Sequence, residues 1–138
     1  MRPCRTILIA VALLLRPDGQ ALLVRKRGSG IFIQPGGKIE PGEAPRAALV
    51  RELAEELGLS IEEAALIPLG QGQAEAANEP GLRVQAEIFG LVRAIDPRIG
   101  AEIEACCWVD PLDPPDELTI APLSRQVVLP QAGRLKPF

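Results

Sequence analysis

The chain of 138 residues contains no histidine and no tyrosine. Without histidine, serine–histidine–aspartate triads and zinc sites with imidazole ligands are both excluded. Its three cysteines, Cys4, Cys106 and Cys107, are an odd number and lack the C-x-x-C spacing of zinc or redox sites. We therefore expect them to be reduced, buried thiols of a cytoplasmic protein.

Aromatic residues make up only 3% of the chain, which limits the candidates for stacking on a ligand to Phe32, Phe89 and Trp108. The net charge of −3 and the absence of a basic patch argue against binding of long nucleic acid. The apolar run at 6–15 follows a basic start, as in a signal peptide, but it is too short to span a membrane. It also lacks a small-residue cleavage site, so we interpret it as a buried strand.

The length of 138 residues, without an internal repeat or linker, predicts a single domain over residues 1–138. Hydrophobic periodicity predicts that this domain is rich in strands. Strands are expected at 6–15, 21–27, 31–34, 65–74, 82–93 and 102–109. The turn residues at 17–20 indicate that the first two strands form a hairpin. A C-terminal helix is expected from Pro122 to Val128 or Leu129, ended by Pro130 and followed by a frayed tail from Arg134.

The stretch from Pro45 to Gly58 has the composition of one helix. Pro45 suits the first turn, where its missing N–H has no helical partner, and Gly58 suits the left-handed position after the last turn. At about 100° per residue, three carboxylates share one face and the aliphatic side chains point largely to the other side. The acidic set is Glu52, Glu55 and Glu56, and the aliphatic set is Leu49, Val50, Leu53 and Leu57.

Three carboxylates on one helical face repel each other unless a cation lies between them. Hard cations such as Mg²⁺ prefer oxygen ligands and bind through a few carboxylates together with substrate phosphates. The residues before the helix, Pro35-Gly36-Gly37, predict a turn in which the backbone approaches a ligand. The alternative is a solvated acidic face without a ligand.

The 23 residues from Gly37 to Leu59 resemble the Nudix box, G-x5-E-x7-R-E-U-x-E-E-x-G-U, in which U is aliphatic. Every fixed position is met. The resemblance implies an α/β protein of α+β type, with a mixed sheet between helices. It further implies a metal-dependent hydrolase that cleaves a phosphoanhydride in a nucleoside diphosphate linked to a further group. The alternative from another class is a Nudix-fold binding or regulatory module that has lost catalysis.

The resemblance also assigns roles. Glu55 and Glu56 are expected to be the principal ligands of Mg²⁺, for which Mn²⁺ is a possible substitute. Glu52 is expected to be a further ligand or the general base, and the Gly37 carbonyl resembles another ligand. Arg51 and Glu43 resemble the ion pair that orients these carboxylates. Glu102 and Glu104, at the start of the last strand, are outside candidates for the base or an extra ligand.

The substrate is less well defined. Arg25 and Arg27 lie on one side of a strand and are candidates for phosphate contacts, against the alternative of solvated charges. Phe32 is a candidate stacking residue. Gln34 is polar where the family more often has an apolar residue, and it is a candidate for facing the ligand. Length and layout resemble the enzymes that hydrolyse nucleoside triphosphates, but the tyrosine and asparagine that mark certain branches are missing. We expect a small nucleotide substrate, with selectivity in the 75–81 loop and the 82–93 strand. The sequence leaves the choice between monomer and homodimer open.

Overall fold

The computed structural model describes residues 5–76, 81–100 and 102–135, and these form one mixed sheet with helices on both faces. The one α-helix, α1, runs over Pro45–Leu57, and a short 3₁₀ turn covers Glu63–Ala65. Two joined helical segments follow the sheet, a π-helix at Leu123–Val128 and a 3₁₀ segment at Leu129–Arg134, here called the C-terminal helices. The strands are β1 Arg5–Leu15, β2 Ala21–Lys26, β3 Phe32–Ile33, β4 Gly36–Lys38, β5 Ile67–Glu75, β6 Leu82–Val92 and β7 Ile103–Val109.

The central strand β1 pairs in parallel with β6 along its whole length, and the other neighbours in the sheet are antiparallel. The predicted hairpin of β1 and β2 is correct only at its turn, where Leu15 faces Ala21. Beyond that pair the two strands separate, because β4 pairs with β1 and β7 pairs with β2. The predicted turn at Pro35-Gly36-Gly37 is therefore wrong, since Gly36 and Gly37 belong to a strand.

Side chains of β1 alternate between two cores, one on each face of the sheet. Ala10, Ala12 and Leu14 pack in the core that also contains Leu53 and Leu57 of α1. The next residues in alternation pack with the C-terminal helices; these are Val11, Leu13 and Leu15. The predicted two-sided burial is confirmed for residues 10–15, whereas Leu8 is exposed. The mixed sheet between helices is confirmed.

The predicted bounds of the C-terminal helix agree with the π-helix at Leu123–Val128, but the region after it departs from the prediction. Pro130 does not end the helix but lies in the first turn of the 3₁₀ segment, where its missing N–H leaves no bond unmade. The predicted fraying is wrong for the start of the tail, since Arg134 Nη1 donates to the Leu69 carbonyl at 2.7 Å and Leu135 is buried. Residues 136–138 lie outside the described part of the chain.

Two cysteines are less buried than expected. Cys106 and Cys107 are free thiols of intermediate exposure on β7, and burial raises the pKa of both thiols. Cys4 lies outside the described residues. Within the described ranges, no helix is both long and apolar enough to cross a membrane.

The end of α1 is fixed by the segment at 96–100, which the sequence indicated only as a loop. Gly58 is left-handed, with φ 63°, and its N–H donates to the Ala54 carbonyl, which is the 5→1 bond of an αL cap. The N–H of Leu59 donates to the Leu53 carbonyl. The backbone N–H of Gly100 then donates to the Glu56 carbonyl at 2.8 Å. This contact holds Glu102 and the start of β7, which follows it, close to the last turn of α1.

Candidate active site

Glu56 is the buried carboxylate of the box, with only 4% of its surface exposed. Its Oε1 accepts a hydrogen bond of 3.0 Å from the backbone N–H of Gly36. Burial raises the pKa of the Glu56 carboxyl to about 7, and the bond from Gly36 offsets only part of that rise. The alternative of a solvated acidic face is therefore wrong for this residue.

Gly36 brings β4 against both β1 and α1. Its φ of 142° is rarely adopted by residues with a side chain, and an added Cβ would lie 2.1 Å from the Ala10 carbonyl oxygen. Only glycine therefore allows this close approach, which directs the Gly36 N–H at Glu56.

Arg51 and Glu43 form the predicted ion pair. Arg51 Nε and Nη2 each donate at 2.9 Å to a different oxygen of Glu43, and Nη2 also donates to the Lys38 carbonyl. These bonds lower the pKa of the Glu43 carboxyl to about 2 and raise the pKa of the Arg51 guanidinium. Arg51 therefore remains charged and fixed between β4 and α1.

The other two carboxylates of the box lie in different surroundings. Glu52 accepts a bond of 2.8 Å from Arg51 Nη1, and its carboxyl lies so close to Gly37 that an added Cβ would be 2.6 Å from Cδ. Glu55 is exposed, and its Oε2 is 3.6 Å from Arg51 Nη1. Over the described ranges the acidic side chains do not form a preassembled metal cluster.

The donor set nevertheless fits a divalent cation. Glu56 is a buried carboxylate that forms no ion pair with any described lysine or arginine. A buried charge without a counter-ion is costly. Glu52 and Glu55 lie on the same helical face, within one turn of Glu56. Oxygen ligands of this kind are those that Mg²⁺ prefers.

The two outside candidates, Glu102 just before β7 and Glu104 within it, differ in their surroundings. The negative charge of Glu102 contributes to the raised pKa of Glu56, and the Glu102 carbonyl accepts a bond from the Arg27 backbone N–H. Glu104 instead forms an ion pair with Arg25. The structure therefore brings Glu102, and not Glu104, towards the carboxylates of α1.

Arg25 and Phe32 lie next to each other. Arg25 Nη1 also donates to the Ser29 carbonyl at 3.0 Å, and its guanidinium lies 5.7 Å from the centre of the Phe32 ring. The Arg27 side chain is exposed. None of these three predicted substrate contacts lines the pocket described next.

A pocket of about 200 Å³ lies where β1, β4 and β6 meet the start of the C-terminal helices. Its walls are mainly apolar, and Gly36, which donates to Glu56, is one of its lining residues. Gln34 also lines it, as the sequence suggested. The pocket is also lined by Ile7, Ile9, Val11, Lys26, Lys38, Glu75, Val84 and Ser124.

Comparison with known proteins fits this geometry. Residues 5–129 match the family model described as the NUDIX domain. The chain belongs to the Nudix family. A crystal structure of a MutT NUDIX hydrolase from Burkholderia pseudomallei superposes with a TM-score of 0.75 at 26% identity, over 92% of this chain and 98% of that one.

Two curated proteins match parts of this Nudix chain. An octanoyltransferase from Myxococcus xanthus is 37% identical over 114 residues, 78% of this chain. A CTP pyrophosphohydrolase from Escherichia coli K12 is 45% identical over 53 residues, 36% of this chain. The chain spans 31% and 39% of the length of these two relatives.

Sequence reasoning missed several residues around this Nudix box. Lys26 lines the pocket, and its positive charge offsets part of the rise in the pKa of Glu56. The period-two rule, which grouped Arg25 with Arg27, places Lys26 on the opposite side of β2. Lys38 and Ser124 also line the pocket. For Ser124 no sequence signal was available, because its place depends on the path of the C-terminal helices.

Proposed function

We propose that this chain hydrolyses a phosphoanhydride in a nucleoside diphosphate linked to a further group, most simply a nucleoside triphosphate. The observation that carries the proposal is the position of Gly36, which joins the buried Glu56 to an apolar pocket with two lysines. The similarity of part of the chain to a CTP pyrophosphohydrolase supports the same reaction class.

Glu55 and Glu56 would hold Mg²⁺, with the Gly37 carbonyl as a backbone ligand and Mn²⁺ as a substitute. Glu52 would serve either as a further ligand or as the general base. A bound divalent cation neutralises phosphate charge and lowers the pKa of a coordinated water. Glu102 remains the outside candidate for a further ligand or base. Glu104 is the weaker one, because Arg25 occupies its carboxylate.

The remaining residues position these groups. Arg51, fixed by its two bonds to Glu43, holds the Glu52 carboxylate against Gly37. Lys26 and Lys38 supply positive charge for phosphate oxygens at the pocket, where the nucleoside binds between aliphatic walls.

In the proposed reaction a water oxygen forms a bond to phosphorus and the bridging P–O bond breaks. The proton of the water passes to a carboxylate, with Glu52 as the first candidate for this base. A nucleoside triphosphate then yields a monophosphate and pyrophosphate. Positioning and charge neutralisation supply most of the catalysis in such reactions.

The proposal is tested by measuring phosphate or pyrophosphate release from nucleoside triphosphates, nucleotide sugars, ADP-ribose and dinucleotides, with Mg²⁺ or Mn²⁺. We expect turnover of at least one nucleoside triphosphate, dependent on the cation. Absence of turnover on the whole panel, with cation and nucleotide binding intact, would instead support a catalytically inactive binding module. The inactive binding module is favoured by Glu55, which is exposed and does not form a metal cluster with the other described acidic side chains.

A further inference from the structure

The uncharged polar side chains that line the pocket are closed to a ligand. Gln34 and Ser124 are only 3% and 1% exposed. Gln34 Nε2 donates to the Ala12 carbonyl at 2.8 Å, and the backbone N–H of Gln34 donates to Ser124 Oγ at 3.0 Å. Gln34 Oε1 is enclosed and has no hydrogen-bond partner among the described residues. These two side chains therefore shape the pocket without presenting a hydrogen-bonding group to a ligand.

The aliphatic side chains of the pocket are, in contrast, open. Ile7, Ile9 and Val84 line it and are only partly buried. Ile7 faces Val84 in the pairing of β1 with β6, and Ile9 lies on the same face two residues further along β1. From Val11 onwards this face is closed, since Val11 and Leu13 are 3% and 0% exposed and share a core with the C-terminal helices. A ligand can therefore contact the aliphatic surface directly where the helices leave it open.

The charged residues at the pocket keep contact with water. Lys38 and Glu75 are exposed, and Lys26 is partly exposed. Glu75 faces Arg83 in the pairing of β5 with β6, so its side chain lies on the opposite face of the sheet from Val84. The lysines offer donors only, which suits phosphate oxygens. The surface left for the base is therefore the aliphatic wall.

No aromatic residue lines the pocket in the part of the chain that the structure describes. Phe32 lies 5.7 Å from the Arg25 guanidinium, and Phe89 packs in the core on the other face of the sheet. Trp108 lies 4.5 Å from Arg16. A polar base edge pressed against the aliphatic wall would lose water without gaining a hydrogen bond, which is unfavourable. An alkyl group in the same place gains from burial.

The size of the pocket limits the base. Its volume is about 200 Å³. A cavity of about 150 Å³ holds benzene, whereas sites for drug-sized molecules have about 300–1,000 Å³. The pocket therefore matches a single six-membered ring with a small substituent better than the two fused rings of a purine.

Resting on the proposed function, we propose that the pocket selects pyrimidine nucleotides whose base carries an alkyl group in the 5-position. The alkyl group packs against Ile9 and Val84 on the open aliphatic face. Lys26 and Lys38 remain available for the phosphates. A thymine base is thereby preferred over uracil, from which it differs by one methyl group.

Binding tests this independently of turnover. Calorimetry compares the hydrolysis-resistant α,β-methylene triphosphates of thymidine and deoxyuridine. We expect the thymidine analogue to bind about fourfold more tightly, which is equivalent to about 0.8 kcal/mol for one buried methyl group. The deoxyadenosine analogue, whose base is larger, should bind more weakly than the thymidine analogue.

Val84→Thr replaces one methyl group of the wall by a hydroxyl at nearly the same shape. We expect it to lower the preference for thymidine below about twofold, because the incoming methyl must then displace water from the hydroxyl. Val92→Thr is the matched control, since Val92 is also partly buried on the same face of β6 but does not line the pocket. It should keep the wild-type preference.

Thermal unfolding verifies that the variants fold, and Ile9→Thr replaces Val84→Thr if the latter does not. Equal binding of the thymidine and deoxyuridine analogues, tighter binding of the deoxyadenosine analogue, or no nucleotide binding would overturn the inference. An unchanged preference in the wall variant, or an equal loss in Val92→Thr, would do the same. Turnover without a preference for thymidine would overturn the inference alone, and the preference without turnover the proposed function alone.

Discussion

The two regions that meet at Gly36 are built in opposite ways. On the box side, meaning residues 37–59, most charged groups have a named partner. Arg51 binds Glu43 and Glu52, and Glu56 accepts a hydrogen bond from the backbone N–H of Gly36. On the pocket side, meaning the residues that line the pocket, the walls are mainly aliphatic. The buried Oε1 of Gln34 has no hydrogen-bond partner in the described part of the chain. Under the proposed function, the first region would carry out the reaction and the second would bind the nucleotide. Changes at their junction should harm both.

Gly36→Ala should have the largest effect, because an added Cβ would meet backbone atoms of β1 at 2.1 and 2.8 Å in an unfavourable φ region. We expect a loss of roughly 3 kcal/mol or more in the free energy of unfolding, measured by urea titration. Gly42→Ala is the matched control, since Gly42 also has a positive φ of 78° but open space around it. We expect it to cost only about 1 kcal/mol. Equal losses in the two variants would contradict the close approach of β4 to β1.

Glu56→Gln should impair the chemistry of the box side and leave the pocket side intact. We expect kcat to fall at least about a hundredfold, equivalent to about 2.7 kcal/mol, because the variant loses a charged oxygen ligand. Folding should be retained, since the amide oxygen still accepts from Gly36. Glu63→Gln, an exposed glutamate in the 3₁₀ turn, is the control and should leave kcat unchanged. Near-normal kcat in Glu56→Gln would remove the basis for the proposed metal site.

The same glutamate makes the stability of the metal-free protein depend on pH. Its folded-state pKa of about 7 exceeds the ordinary value of 4.5, so its stabilising effect is present below pH 4.5 and is lost as pH rises through 7. The pKa of Glu43 is lowered from 4.5 to about 2, so its contribution to stability is present above pH 4.5 and is lost as pH falls through 2.

In EDTA, we expect the free energy of unfolding to be about 2 kcal/mol lower at pH 8 than at pH 5.5. Urea titrations at both pH values measure it, and Glu56→Gln should flatten the dependence. A wild-type decrease that persists unchanged in the variant would assign it to other groups.

The box side was largely predictable because its residues are close in sequence. A helix fixes the relation among Glu52, Glu55 and Glu56, and the spacing to Glu43 places the Arg51 ion pair correctly. The burial of Glu56 was not predictable, because it depends on the long-range approach of Gly36.

The pocket side was mostly unpredictable because distant segments build it. β1, β4, β6 and the C-terminal helices each contribute residues to it. Sequence alternation identifies the two sides of β2 but does not say which side faces the ligand. It therefore favoured Arg25 over Lys26. The effect of Pro130 was predicted wrongly for a similar reason. Proline is tolerated in the first turn of a helical segment, and the sequence does not show that a new segment begins at Leu129.

The smallest predicted effects test whether Lys26 or Arg25 of β2 contacts the phosphates. Lys26→Gln should lower kcat/KM about tenfold, as expected for loss of one charged phosphate contact, because Lys26 lines the pocket. Arg25→Gln should leave kcat/KM within about twofold and reduce stability by less than about 1 kcal/mol, since it removes only the contacts with Glu104, Ser29 and Phe32. Both are measured by steady-state kinetics on the best substrate of the panel. The reverse order of effects would show that β2 presents its other side to the phosphates, and that the pocket identified here is not where the nucleotide binds.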